Sequence, residues 1–206
     1  MGRQHKVETK QKLLDKNGNI AEPGYATSQV WEYDRNDIKA PKFRIKEWDY
    51  YIITNQSYAI ALTIADNGYI GAISASVLDY EVPCERTMTA VSFFPMGKMG
   101  MPKSPDIGDV KASIGKVSFS FENDGVKRIL RGVYPKFGKN KEHLSFEITL
   151  SAFPRASMVI ATPFAKKKHF YYNQKTNCMV ADGYFMVGDK KYVFDPKDSL
   201  GTLDWG

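Results

Sequence analysis

The sequence is short of cysteine, histidine and helical periodicity, and it has no long apolar run. The two cysteines, Cys84 and Cys178, sit in neither a CxxC nor a metal-type spacing. They read as reduced structural thiols, which points to a cytoplasmic protein. The three histidines, His5, His143 and His169, pair neither with one another nor with cysteine at ligand spacing, which argues against a zinc site. No metal or cofactor signature is present. No stretch approaches the length of a membrane-spanning helix. The opening "MGRQHKVETKQK" holds no apolar segment, so no signal peptide is expected there, and it lacks the Ser or Thr that myristoylation favours. The sequon Asn55-Gln56-Ser57 carries little meaning in a cytoplasmic chain. G-x-S-x-G, G-x-G-x-x-G and a Gly-Lys-Ser/Thr phosphate loop are all missing, which sets aside the commonest hydrolase, dinucleotide and nucleotide readings.

What is present is strand. The chain has 206 residues, 43% hydrophobic and 25% charged, enough to bury a sizeable core. "HLSFEITL" places Leu144, Phe146, Ile148 and Leu150 on one face, and "KVSFSFE" does the same with Val117, Phe119 and Phe121. "YAIALTIA" sets Tyr58, Ile60, Leu62 and Ile64 against small residues. A period of two over such runs predicts half-buried strands. Gly-bearing turns separate them at Asp66-Asn67-Gly68, Asn123-Asp124-Gly125, Gly138-Lys139-Asn140 and Gly188-Asp189. About ten strands are expected between Trp48 and Phe194, at the regular spacing of an all-β antiparallel meander that forms a sandwich or a barrel, with few short helices. Residues 1–47 read as an irregular lead-in, with a small hairpin at Asn17-Gly18 and one helical turn capped by Asp34. Residues 48–206 read as the barrel domain. Phe43 and Ile45 are odd-numbered but Trp48, Tyr50 and Ile52 are even, so a bulge is expected at Lys46-Glu47. The loop Pro95–Gly108, with three Gly, three Pro and three Met, has the length of a lid or a disordered segment.

The net charge of +6 is unevenly placed. Residues 95–175 carry fifteen basic and six acidic side chains, whereas residues 49–94 carry one and five. Inside the basic stretch, "KKKHFYYNQK" interleaves cations with Phe170, Tyr171 and Tyr172. Such a pattern can grip a single-stranded nucleic acid or an anionic surface. The plainer reading is a strand with inward aromatics after a solvated basic turn, because no RNP-type pattern accompanies it. The small residues of "GYIGAISASVLDY" either leave a cavity inside a barrel or accept a covering loop. Asp49 and Asp204 each sit among aromatics, where a carboxyl has a raised pKa and can donate a proton, unless it caps a turn.

Several stretches taken together carry a resemblance. "LLDKNGNIAEPGYA", "DIKAPKFRIKEWDYY", "FPMGKMGMP", "HFYYNQKTNCM" and "GTLDWG" are similar to the domain-of-unknown-function family DUF2804. Members of that family run on past an "LDWG"-like sequence, so the resemblance implies that Gly206 is a truncation point and that a C-terminal half of the same protein is missing. More distantly, Tyr171-Tyr172-Asn173 and Asp204-Trp205-Gly206 resemble the "YYS" and "DHEWG" sequences of the carotenoid hydratase and AttH-like two-barrel group. Asn173 replaces Ser and the His-Glu pair is absent, which puts hydratase or cyclase chemistry in doubt.

The resemblance implies a lipocalin-like (calycin-like) barrel or strongly bent sheet and, as the expected function, binding of a lipophilic small molecule in the barrel, with Tyr171, Tyr172, Asn173, Trp205, Trp48 and Tyr50 as ligand-binding residues. The first alternative is an enzyme in which Asp204 protonates an alkene lipid. The second is binding of nucleic acid or an anionic surface through residues 95–175, with no specific nucleic-acid partner expected.

Overall fold

A computed structural model describes residues 4–206. The lead-in contributes three short strands, β1 (Gln11–Lys12), β2 (Gly24–Ala26) and β3 (Trp31–Glu32). β1 and β3 pair in parallel as a separate two-stranded sheet. The lead-in buries Val7, Leu13, Leu14, Ile20, Ala26, Val30 and Trp31 in the same apolar cluster as the later strands. Two 3-10 turns follow, Arg35–Asp37 and Lys42–Arg44. The first is capped as expected, with the Asp34 carboxylate accepting from the Asn36 N–H at 2.8 Å.

The period-two runs then become strands. A first antiparallel meander runs through β4 (Glu47–Thr54), β5 (Tyr58–Asp66), β6 (Ile70–Asp79) and β7 (Cys84–Phe93). A second runs through β8 (Val110–Ile114), β9 (Val117–Asn123), β10 (Arg128–Phe137) and β11 (Glu142–Ser151). β12 (Met158–Pro163) leads into the long β13 (Phe170–Val187), which is followed by β14 (Lys190–Phe194) and β15 (Leu200–Trp205). All four turn signals fall between consecutive paired strands. At Gly68 the turn requires φ +77°, which glycine adopts without strain.

β15 joins the two meanders, pairing with β4 on one edge and β13 on the other. The resulting order is β7-β6-β5-β4-β15-β13-β11-β10-β9-β8. The two ends, β7 and β8, approach each other without pairing, so the sheet is nearly closed into a barrel, one of the two forms that the turn spacing allows. β13 serves two neighbours along each edge. Phe170–Lys175 pairs with β12 and Val180–Val187 with β11. A register shift between Thr176 and Met179, with Cys178 at φ 61°, bends the strand between those halves. The interior is filled by Ile60, Leu62, Ile64, Phe119, Phe121, Phe137, Ile148, Phe185 and their neighbours, all essentially inaccessible.

Two sequence expectations change. No bulge separates Ile45 from β4: Ile45, Glu47, Asp49, Tyr51 and Ile53 are all buried, and Trp48, Tyr50 and Ile52 lie half-buried on the other face. The bulkier set was read as inward, but the inward set includes acids that find polar partners or stay neutral. The loop Pro95–Gly108 is neither a lid nor disordered. The buried Asp66 carboxylate accepts from the N–H groups of Gly97 at 2.7 Å and Met99 at 3.4 Å, and also from Gly68 at 2.9 Å. Met99 thereby sits where a Cβ on Gly71 would be, 2.6 Å from its Sδ. Gly71 of β6 thus accepts a covering loop, Ser74 and Ser76 bond to β7, and Ile73, Ala75 and Val77 pack into the core. Among the described residues no helix is long and apolar enough to cross a membrane.

Candidate functional site

The sequence-predicted residues converge at one end of the sheet, where β4, β13 and β15 lie side by side, but they divide between its two faces. Alternation places Tyr171, Asn173 and Lys175 of β13 on the outer face. The register pairs Lys175 with Asp204 and Asp204 with Tyr50, so these share that face with Trp48. Tyr172 and Trp205 point inward.

On the outer face Asp204 organises a polar cluster. Its carboxylate accepts from the Trp48 indole N–H at 3.1 Å, from the Asn173 amide and from the Lys175 ammonium. Asn173, fully buried, also donates to the Trp205 carbonyl at 2.6 Å, and its Oδ1 has no partner. Tyr171 stacks on Trp48 with ring centroids 6.0 Å apart. Partial burial lowers the Lys175 pKa from its ordinary value, and its ammonium contacts the Asp204 carboxylate directly. Tyr50 lies beside this group, its hydroxyl pKa raised by burial and by Tyr80.

On the inner face Tyr172 and Trp205 meet edge-to-face at 5.4 Å, and Tyr33 lies 5.9 Å from Trp205. The Tyr172 hydroxyl is 2.7 Å from the Gln29 amide oxygen and 3.0 Å from the Trp31 carbonyl. Tyr33 donates to Glu47 at 2.6 Å, and Glu47 pairs with Arg35. Desolvation raises both tyrosine pKa values well above the usual range. The Trp205 indole N–H donates to the Pro102 carbonyl at 3.3 Å, which ties the Pro95–Gly108 loop to this end of the sheet.

Between the two faces opens a cleft of about 420 Å³. Among the described residues no strand pairs with Phe170–Asn173 on the β15 side, where the pairing starts at Gln174, and the cleft reaches both the stacked and the inward aromatics. Trp48, Tyr171, Tyr172 and Trp205 line it together with Tyr33, Ile38, Ile45, Phe164 and Phe170. Arg44, Lys46, Lys168 and His169 complete its wall. Asn173 and Asp204 brace the cleft from behind Trp48, and Tyr50 stands outside it. Sequence reading missed Tyr33, Phe164 and the rim residues Arg44 and Lys46. Lys168, His169 and Phe170 carried a signal in "KKKHFYYNQK", but it suggested nucleic acid.

A second polar group lies buried beside this end. Arg128 donates to the Tyr51 hydroxyl at 3.2 Å and to the Pro105 carbonyl, and its guanidinium sits 5.1 Å above the Phe153 ring. Asp49 shares the inward face with Tyr51, and its Oδ1 has no partner. Desolvation pushes its carboxyl up to about 7, against the pull of Arg128. Among the described residues no cluster of three or more His, Cys, Asp or Glu is arranged to hold a metal ion.

The chain belongs to the family described as domain of unknown function DUF2804, whose match spans residues 4–206. That is the family its "LLDKNGNIAEPGYA" and "GTLDWG" stretches resemble. No curated protein matches the sequence. Among solved structures it is similar to kievitone hydratase from Nectria haematococca, at 16% identity and a TM-score of 0.43, covering 95% of this chain and 55% of that one. The chain thus spans about half the length of that relative.

Proposed function

We propose that this protein binds a lipophilic small molecule in the cleft formed by β4, β13, β15 and the lead-in. The observation that carries the reading is a concave volume of about 420 Å³ walled largely by aromatic and aliphatic side chains. That size falls in the range of small-molecule sites, roughly 300–1,000 Å³. The barrel interior is filled with side chains, so the ligand enters at the end of the sheet rather than along its axis. Trp48 and Tyr171 form one wall and Tyr172, Trp205 and Tyr33 another.

The reading of Asp204 as a proton donor is less well supported. Its carboxylate contacts Lys175 and accepts from Trp48 and Asn173, which stabilises the charged form it would have to leave. In an enzyme built on this site, Asp204 is better suited to orienting Trp48 and Asn173.

Titration with the neutral fluorophore Nile red tests the binding reading. Saturable binding with blue-shifted emission, little changed by salt, is expected. Trp48→Ala and Phe164→Ala should each weaken it by about fivefold to tenfold, or roughly 1 kcal/mol of lost apolar contact. Phe164 is 55% exposed, so its truncation leaves the fold intact. Binding that neither variant alters, or no saturable binding, overturns the assignment. Affinity for an oligonucleotide that falls steeply with salt would favour the basic-surface reading instead.

A further inference from the structure

We propose that the cleft takes a single-chain amphiphile with an anionic head group, held at Arg44, Lys46 and Lys168 with its apolar chain along the Trp48–Tyr171 wall. This rests on the cleft being the lipophile site.

The charged side chains at the cleft are all basic. Arg44, Lys46 and Lys168 line it, and no Asp or Glu side chain does. None of the three has an ion-pair partner among the described residues, and all three are exposed. Several cations on the strands are paired instead. Lys111 pairs with Glu122, Arg131 with Glu122 and Glu147, and Arg86 with Glu142. A concave rim that gathers unpaired cations from two segments focuses a positive potential into the cleft.

Both segments are braced by contacts within the chain. Lys168 adopts φ 64°, a left-handed conformation that few residues other than glycine take, and its N–H donates to the Asn19 side chain at 3.1 Å. The same turn is closed by Phe164 N–H to His169 carbonyl at 2.9 Å and His169 N–H to Lys166 carbonyl at 3.2 Å. The turn bearing Arg44 rests on the β5–β6 hairpin, so closely that a Cβ on Gly68 would lie 2.4 Å from the Phe43 carbonyl oxygen. The cations are therefore presented by braced turns, which lowers the ordering cost of binding. The remaining walls are aromatic, and a small soluble anion would leave them wet. An anion carrying an apolar chain satisfies both parts.

The test is calorimetric titration of the intact chain with dodecanoate and with dodecanol, at low and high salt. Dodecanoate should bind about tenfold or more tightly than dodecanol, with the difference shrinking as salt rises. The triple variant Arg44→Gln, Lys46→Gln, Lys168→Gln should bring dodecanoate to within about twofold of the alcohol measured on the same variant. Circular dichroism confirms the fold of this variant, whose altered side chains are all exposed. Equal binding of acid and alcohol overturns the head-group assignment and leaves the lipophile site standing. A preference for the acid that survives the triple variant overturns it as well. Binding of neither removes the lipophile site and this inference with it. Sedimentation with phosphatidylglycerol vesicles in the absence of dodecanoate binding assigns the cations to a membrane surface and overturns the free amphiphile.

Discussion

Asp49 has the most consequential ionisation in the molecule. Burial raises its carboxyl to about 7 in the folded chain, against about 4 when unfolded. The native state therefore binds the proton more tightly, and stability falls as pH rises between those two values. Below about pH 4 this residue imposes no penalty. Above about pH 7 the full penalty applies, on the order of 4 kcal/mol for a shift of about three units. Urea unfolding at pH 5 and pH 8 should show Asp49→Asn removing most of this difference, with the variant the more stable at pH 8. A variant with the same pH slope as the parent would show that Asp49 is ionised in the fold. The residue scale is also where the sequence was least legible. Asp49 and Asp204 both lie among aromatics in the sequence and look alike there. Only strand register separates them, turning one into the core and the other to the outer face beside Lys175. Tyr33 carries no sequence signal at all, because it reaches the cleft from an irregular segment.

At the scale of elements, hydrophobic alternation was a good guide wherever a strand has one wet face. β9 and β11 carry their apolar residues inward, as their period-two runs require. β4 misled because its outer face carries larger apolar side chains than its inner one. The Pro95–Gly108 loop misled for another reason. Its order comes from Asp66, a residue on β5 that no local pattern connects to it. Removing that carboxylate in Asp66→Ala strands the N–H groups of Gly97 and Met99, at a cost of about 1–3 kcal/mol. Hydrogen exchange at both amides should quicken well beyond that of β5 and β6 themselves. Unchanged protection there would show that Met99 packing alone holds the loop.

At the scale of the whole molecule, the near-closed sheet leaves β7 on an edge. Val91, Phe93 and Phe94 there are 47%, 73% and 61% exposed. An apolar, unpaired edge invites association with other chains. Phe93→Lys should lower concentration-dependent self-association in sedimentation velocity and leave lipophile binding unchanged. Persistent association would place the sticky surface elsewhere. The other whole-molecule property is the place of β15 between the two meanders. Asp204 reaches Trp48 across 156 residues of chain, and until that strand docks, β4 and β13 each present an unmatched edge. Such long-range closure makes for slow folding. On the ribosome, both meanders would emerge before the strand that unites them, so closure of this barrel awaits the synthesis of Leu200–Trp205.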